Sequence, residues 1–249
     1  MLKGGLAYDE FGDPGLDVLE GGPGNDELQA GGAGDDLMRG GPGADTFHNG
    51  PSGSAFVSYR NYAVPVFASA DGLPNDGAAG EGDNILDNVL GPALTMEGGS
   101  ANDKVTGFNA IGNAGDDHLT GTVLDGGPGH DTLRATGRFA SLTGGLGHDN
   151  LRGGVFGDEM LGGPGRDMLG GGPGADLLDG GRNSDVIQGS TGRDVISGGP
   201  GRDLCLGGRG SDTFFLRDRK RDTANGGGGI DRARIDRGLD RIRLIERLF

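Results

Sequence analysis

Eight aspartates, Asp149, Asp158, Asp167, Asp176, Asp185, Asp194, Asp203 and Asp212, each stand nine residues after the last. Each follows a glycine-rich turn, in units that read GGLGHDNLR, GGVFGDEML, GGPGRDMLG, GGPGADLLD, GGRNSDVIQ, GSTGRDVIS, GGPGRDLCL and GGRGSDTFF. Short carboxylates on glycine turns suit hard, oxygen-seeking cations. A mixture of glutamate and lysine would instead suit a solvated helix. Glycine loses more backbone entropy on folding than any other residue, so 58 of them in 249 residues need a positional reason, and a repeated turn supplies it.

The elements that must position these aspartates follow from the same units. In each, six turn-forming positions precede three that form a short strand, and the eighth position is apolar: Leu151, Met160, Leu169, Leu178, Ile187, Ile196, Cys205 and Phe214. Side chains alternate across a strand, so positions seven and nine face outward and position eight faces in. That column builds a thin core in which Cys205 is a packing residue. Two nonapeptides make a turn, strand, turn, strand circuit of 18 residues. Each circuit stacks on the next at about 4.8 Å. Asp149, Asp167, Asp185 and Asp203 then share one column, and Asp158, Asp176, Asp194 and Asp212 the other.

The nonapeptide resembles the RTX, or hemolysin-type, calcium-binding repeat of bacterial proteins. That resemblance implies an all-β fold, a right-handed parallel β-roll (a β-helix or solenoid) of stacked repeats, with Ca²⁺ bracketed by successive aspartates of a column. It further implies glycine carbonyls as ligands, here those of Gly144, Gly147, Gly162, Gly165, Gly171, Gly174, Gly198 and Gly201. The resemblance is strong over 126–216, good over 12–48 and 98–120, and looser elsewhere. Calcium accepts six to eight oxygens in flexible geometry, whereas magnesium demands a tight octahedron.

Further units extend the pattern. Asp131 in GGPGHDTLR precedes Asp149 by 18, but the unit between, ATGRFASLT, carries Ala140 in place of the aspartate while keeping Leu142 inward. The second column is therefore expected to begin at Asp158. Before Asp131 the spacing becomes 14, through Asp117 in GNAGDDHLT and Asp103 in GGSANDKVT, as in a circuit that keeps its loop on one edge and replaces the other with a tight turn. The first column then runs from Asp103 to Asp203, with up to six interstitial sites against three in the second. An N-terminal block repeats the pattern at Asp17, Asp26, Asp36 and Asp45, with Leu19, Leu28, Met38 and Phe47 inward. Ala30 is one residue too many and predicts a bulge. Four units are too few to stand alone, so this block must lean on the segment C-terminal to it.

The chain accordingly divides into an N-terminal repeat block (1–49), an irregular insertion of strands and an acidic loop (50–97), a main roll (98–216), and a last degenerate repeat with a C-terminal cap (217–249). Within the insertion, AFVSYRN and PVFASA read as short strands. VSYRNYAVPVFASADGLPNDGAAGEGDN resembles a segment found beside such repeats in other bacterial calcium-binding proteins. Its acids Asp71, Asp76, Glu81 and Asp83 miss the EF-hand spacing and are expected in a solvated loop. After Asp212, FLRDRKRDTAN breaks the period before GGGGIDRAR, which carries Asp231. In the final stretch Ile235, Leu239, Ile242, Leu244, Ile245, Leu248 and Phe249 alternate with charges. They are expected to close the open end of the roll, a C-terminal export signal being the other reading.

The 37 acidic residues outnumber 22 basic ones, and a net charge of −15 excludes nucleic acid as a partner. Residues 217–249 nevertheless hold 10 basic and 6 acidic residues, and these arginines are expected to pair with the acidic body or cap it. Arg166, Arg193 and Arg202, at fifth positions, are expected in solvent. No apolar run is long enough for a membrane span, and the start MLKGGLAYDE has no signal-peptide apolar region. Export would then use another signal, or a start that is missing. The lone cysteine excludes an internal disulfide. Without an HExxH helix, a GxSxG elbow or a P-loop, no enzyme and no catalytic residue is expected. His130 and His148 share the fifth position 18 apart and are expected as exposed neighbours rather than a metal pair. Phe156 replaces a fourth-position glycine and tolerates positive φ poorly, so its turn is expected to be the weakest.

Stacked carboxylates at this spacing repel by roughly 1 kcal/mol per pair in water. The expected function is therefore calcium binding with ion-coupled folding of a secreted, extracellular structural or interaction module. Calcium ions are the expected partners, together with a protein or cell-surface partner. The alternatives are a non-catalytic piece of a larger RTX exoenzyme or toxin, and an adhesin or surface-layer module that uses the roll as scaffold.

Overall fold

The computed structural model describes residues 6–8, 16–31, 34–50, 54–86 and 94–249. These form short strands and turns with no helix, in two compact units, Met1–Thr120 and Gly121–Phe249. All but one of the strand pairs within the units are parallel.

The second unit is the more regular. One of its sheets stacks Val123–Gly129, Ser141–Gly147, Glu159–Pro164, Leu177–Arg182, Val195–Ser197, Thr213–Leu216, Arg232–Ile235 and Arg247–Leu248. The other stacks Thr132–Ala135, Asn150–Arg152, Met168–Pro173, Val186–Thr191, Leu204–Arg209, Thr223–Gly228 and Arg241–Arg243. Registers such as Leu151↔Leu169↔Ile187↔Cys205 and Leu142↔Met160↔Leu178↔Ile196 realise the 18-residue circuit. Every eighth-position side chain is buried, Cys205 included, and these two columns are the core. Alternation along each strand makes the core one residue thick, so neither sheet could persist without its stacked neighbours. The unit with Ala140 keeps its strand, and Leu142 is buried in register.

In the first unit, Leu6–Tyr8, Glu27–Gln29, Thr46–His48 and Asn84–Leu86 form one sheet, and Val18–Glu20, Asp35–Arg39, Ser54–Ser58, Thr95–Glu97 and Asn109–Ile111 a second. The third holds His118–Gly121, Lys104–Thr106 and Val66–Ser69, with Gly77–Ala78 pairing antiparallel to the last. The 14-residue spacing is a true circuit, with Met96 on Ala110 and Val105 on Leu119. Ala30 produces no one-sided bulge. Asp17–Asp36 and Asp26–Asp45 are both 19 apart, and Ala30 is buried with its N–H on the His48 carbonyl of the next circuit.

The expectation of a solvated acidic loop is overturned at two residues. Asp76 and Asp83 are buried rather than solvated, because the insertion's loop folds back over the strands Thr46–His48 and Val66–Ser69. FLRDRKRDTAN breaks the 18-residue period by one residue, taken up in the turn ahead of Asp222, and its last three residues open the strand Thr223–Gly228 in register with Leu204–Arg209. In the final stretch Ile242 and Leu248 lie on a last pair of strands stacked on Ala224 and Ala233, and none of its seven apolar side chains is fully buried.

Candidate metal centre

Each turn is held by a relay that runs along the stack. The N–H of one aspartate donates to Oδ1 of the aspartate one circuit on: Asp131 to Asp149, Asp149 to Asp167 and Asp167 to Asp185 at 2.8 Å, then Asp185 to Asp203 at 3.0 Å. The second column repeats it from Asp158 to Asp176, Asp194 and Asp212 at 2.8–3.0 Å, and Ala140, which has no carboxylate, still donates to Asp158 at 2.7 Å. In the first unit the relay joins Asp26 to Asp45 and Asp103 to Asp117, with a longer 3.4 Å contact from Asp17 to Asp36.

The relay consumes Oδ1 and leaves Oδ2. In Asp149, Asp167, Asp176, Asp185, Asp194, Asp203 and Asp212 this oxygen is buried and accepts no hydrogen bond. It faces the first glycine of its own unit and the first-glycine carbonyl of the next circuit. A methyl group placed on Gly144 would lie 2.6 Å from Asp149 Oδ2 and 2.7 Å from the Gly162 carbonyl oxygen. On Gly162 it would lie 2.7 Å from Asp167 Oδ2 and 2.5 Å from the Gly180 carbonyl oxygen. Carboxylate and carbonyl oxygens thus converge on a space that only glycine leaves open. Among the described residues no three His, Cys, Asp or Glu side chains gather as a metal site, so any cation there draws on carbonyls as much as carboxylates.

The family model for the RTX calcium-binding nonapeptide repeat matches residues 11–47, 109–133, 125–160, 143–178 and 179–214, more than half of the chain. The chain belongs to that family. No curated protein matches it.

In RTX terms the first- and fourth-position glycines do different work. First-position Gly144, Gly162, Gly171 and Gly198 give the close approach just described. Fourth-position Gly147 and Gly174 take positive φ and stack on the carbonyls of the preceding circuit, as Gly165 and Gly201 also do without positive φ. Asn183 and Ser190 adopt positive φ in place of glycine, but Phe156 does not. Its turn follows another path, in which Asp158 Oδ2 accepts the Gly154 N–H at 2.7 Å and Arg138 lies 4.6 Å over the Phe156 ring. The expected weakness of that turn is therefore not a matter of forced backbone strain.

The electrostatics follow from burial. Desolvation first, and neighbouring carboxylates after it, push Asp185 and Asp203 up to about 7 and Asp167 and Asp212 up to about 6, against opposing backbone N–H bonds. Asp176 is pushed up to about 7 by the same causes. Burial likewise raises the Cys205 thiol, as befits a packing residue. An oxygen-only donor set, charged and without a counter-ion, fits a hard divalent cation.

Four column members, Asp222, Asp83, Asp240 and Glu246, lie beyond those expected from the sequence. Asp203 donates its N–H to Asp222 Oδ1 at 2.9 Å, and Asp45 to Asp83 Oδ1 at 2.8 Å. Asp231, Asp240 and Glu246 continue the relay at the C-terminal strands. A signal was present: Asp222-Thr-Ala and Asp83-Asn-Ile keep the aspartate, any residue, apolar order, and Asp83 lies 38 residues after Asp45, twice the local spacing of 19. His130 and His148 do stack, with ring centroids 4.9 Å apart and planes nearly parallel. Their Nδ1 atoms accept the N–H groups of His148 and Arg166, so they serve the turn ladder. Among the described residues only one tail arginine has an ion pair, Arg217 with Asp236 at 3.9 Å, and that partner lies in the tail itself rather than in the acidic body.

Proposed function

We propose that this chain binds Ca²⁺ within its two aspartate columns and folds in concert with the ions as a secreted, non-catalytic module. The residues that would hold the ions are Asp149, Asp167, Asp185 and Asp203 in one column and Asp158, Asp176, Asp194 and Asp212 in the other. First-position carbonyls such as those of Gly162 and Gly180 would join them. Asp131, Asp103 and Asp117, and the N-terminal Asp17, Asp26, Asp36 and Asp45, would add ligands along the same columns, with Asp36 and Asp103, like Asp158, giving up the backbone N–H groups of Gly31, Gly99 and Gly154 that their Oδ2 atoms accept. Bound calcium would supply positive charge and accept these oxygens as ligands. The protein's part is to hold Oδ2 and the carbonyl at one point, and to anchor each carboxylate through Oδ1.

The observation that carries this reading is the row of buried Oδ2 atoms without hydrogen bonds beside glycine carbonyls. A buried carboxylate oxygen left unsatisfied costs about 1–3 kcal/mol or more, too much to recur along two columns without compensation. Extracellular modules bind calcium at about 10⁻⁴–10⁻³ M, so folding would be withheld inside a cell and completed outside it. Counting bound ions by elemental analysis after equilibrium dialysis tests the assignment. Asp167→Asn and Asp185→Asn together should remove ions relative to the unaltered chain, and an unchanged count would refute it.

A further inference from the structure

The second unit carries an outward face whose charge opposes that of the whole chain. On the sheet from Thr132–Ala135 to Arg241–Arg243, side chains flanking the buried column point away from the core, and the strand registers place them in two rows. One row reads Thr132, Asn150, Met168, Val186, Leu204, Thr223, Arg241, and the other Arg134, Arg152, Gly170, Gln188, Leu206, Asn225, Arg243. Four arginines and no acid occupy this face of a chain with net charge −15. Arg134, Arg152, Arg241 and Arg243 are exposed, and none has an ion pair among the described residues. Arg166, Arg202 and Arg221, also exposed, each stand two residues ahead of a strand of the same sheet and add charge along its border. Met168, Val186 and Leu204 form an exposed apolar ladder between the two arginine pairs.

We infer that this face binds a linear acidic polysaccharide laid along the stacking direction. Its dimensions select the class of partner. Seven strands at about 4.8 Å span about 29 Å, and three residues of strand span about 10 Å. The area is roughly a third of the about 800 Å² per partner in a standard protein interface, which suits a single extended polymer better than a folded domain. Single-stranded nucleic acid needs aromatic side chains for base stacking, and neither row has one. Guanidinium groups match sugar carboxylates bidentately, the amides of Asn150 and Gln188 match hydroxyls, and the apolar ladder matches the faces of sugar rings.

The test is calorimetric titration of the calcium-loaded chain at low ionic strength with a galacturonate oligomer of about six units, long enough for the roughly 29 Å face. Maltohexaose and a thymidine oligonucleotide serve as controls. The galacturonate should bind, and should weaken about tenfold or more in Arg134→Gln/Arg152→Gln and in Arg241→Gln/Arg243→Gln. Circular dichroism and bound calcium, measured on the same samples, should not change, which separates failure of this face from failure of the ion sites. No galacturonate binding, equal binding of maltohexaose or the oligonucleotide, or indifference to both paired variants would overturn the inference.

Discussion

At the scale of single residues, Gly162 shows why these turns are built from glycine. Its φ lies outside the left-handed region, yet a methyl group there would press on Asp167 Oδ2 and the Gly180 carbonyl. Gly170, eight residues on, has open space around it. Gly162→Ala should therefore cost about 1–3 kcal/mol through overpacking, while Gly170→Ala should be neutral or stabilise by about 0.4–1 kcal/mol. Urea midpoints in saturating calcium would separate the two. The raised carboxylates make a second prediction. Asp185 and Asp203, pushed up to about 7 from 3.8, bind protons more tightly folded than unfolded. Their stabilisation of the metal-free fold is complete below 3.8 and is lost as pH rises through about 7. Metal-free protein should thus resist urea better near the acid end of that window than above it, and stability that rises with pH would contradict this. Protons and calcium compete for the same oxygens, so ion affinity should fall over the same range.

Among elements, the unit at 135–143 departs from the repeat at Ala135, Thr136, Arg138 and Ala140, and two of these changes belong together. Ala140 replaces the aspartate, and Ala135 stands where the first glycine belongs. A methyl group at that place is harmless only when no carboxylate reaches it. Ala140→Asp alone should destabilise by about 1–3 kcal/mol, and adding Ala135→Gly should recover most of the loss, as read from urea midpoints in calcium. If the single variant is as stable as the double, the packing account of the first glycine is wrong. The strands were legible from the sequence because an apolar eighth position repeats, and its 18- and 14-residue registers are those observed. Asp222 and Asp83 kept the local Asp-x-apolar order but not the 18-residue period, because a one-residue insertion precedes the first and the strands Ser54–Ser58 and Val66–Ser69 intervene before the second. The path of the Phe156 turn depends on contacts with Arg138 and Phe139 in the neighbouring unit, which periodicity does not report.

For the whole molecule, glycine entropy and a charge of −15 oppose folding, while the core is one residue thick. Composition and spacing made that balance legible, together with the cation needed to shift it, but they did not reveal that Oδ1 is committed to the backbone and only Oδ2 is left for an ion. The most direct test of ion-coupled folding is a calcium titration of the metal-free chain at neutral pH followed by circular dichroism, with magnesium as control. A cooperative gain of β signal with calcium alone is predicted. A spectrum already folded without calcium, or an equal response to magnesium, would contradict it.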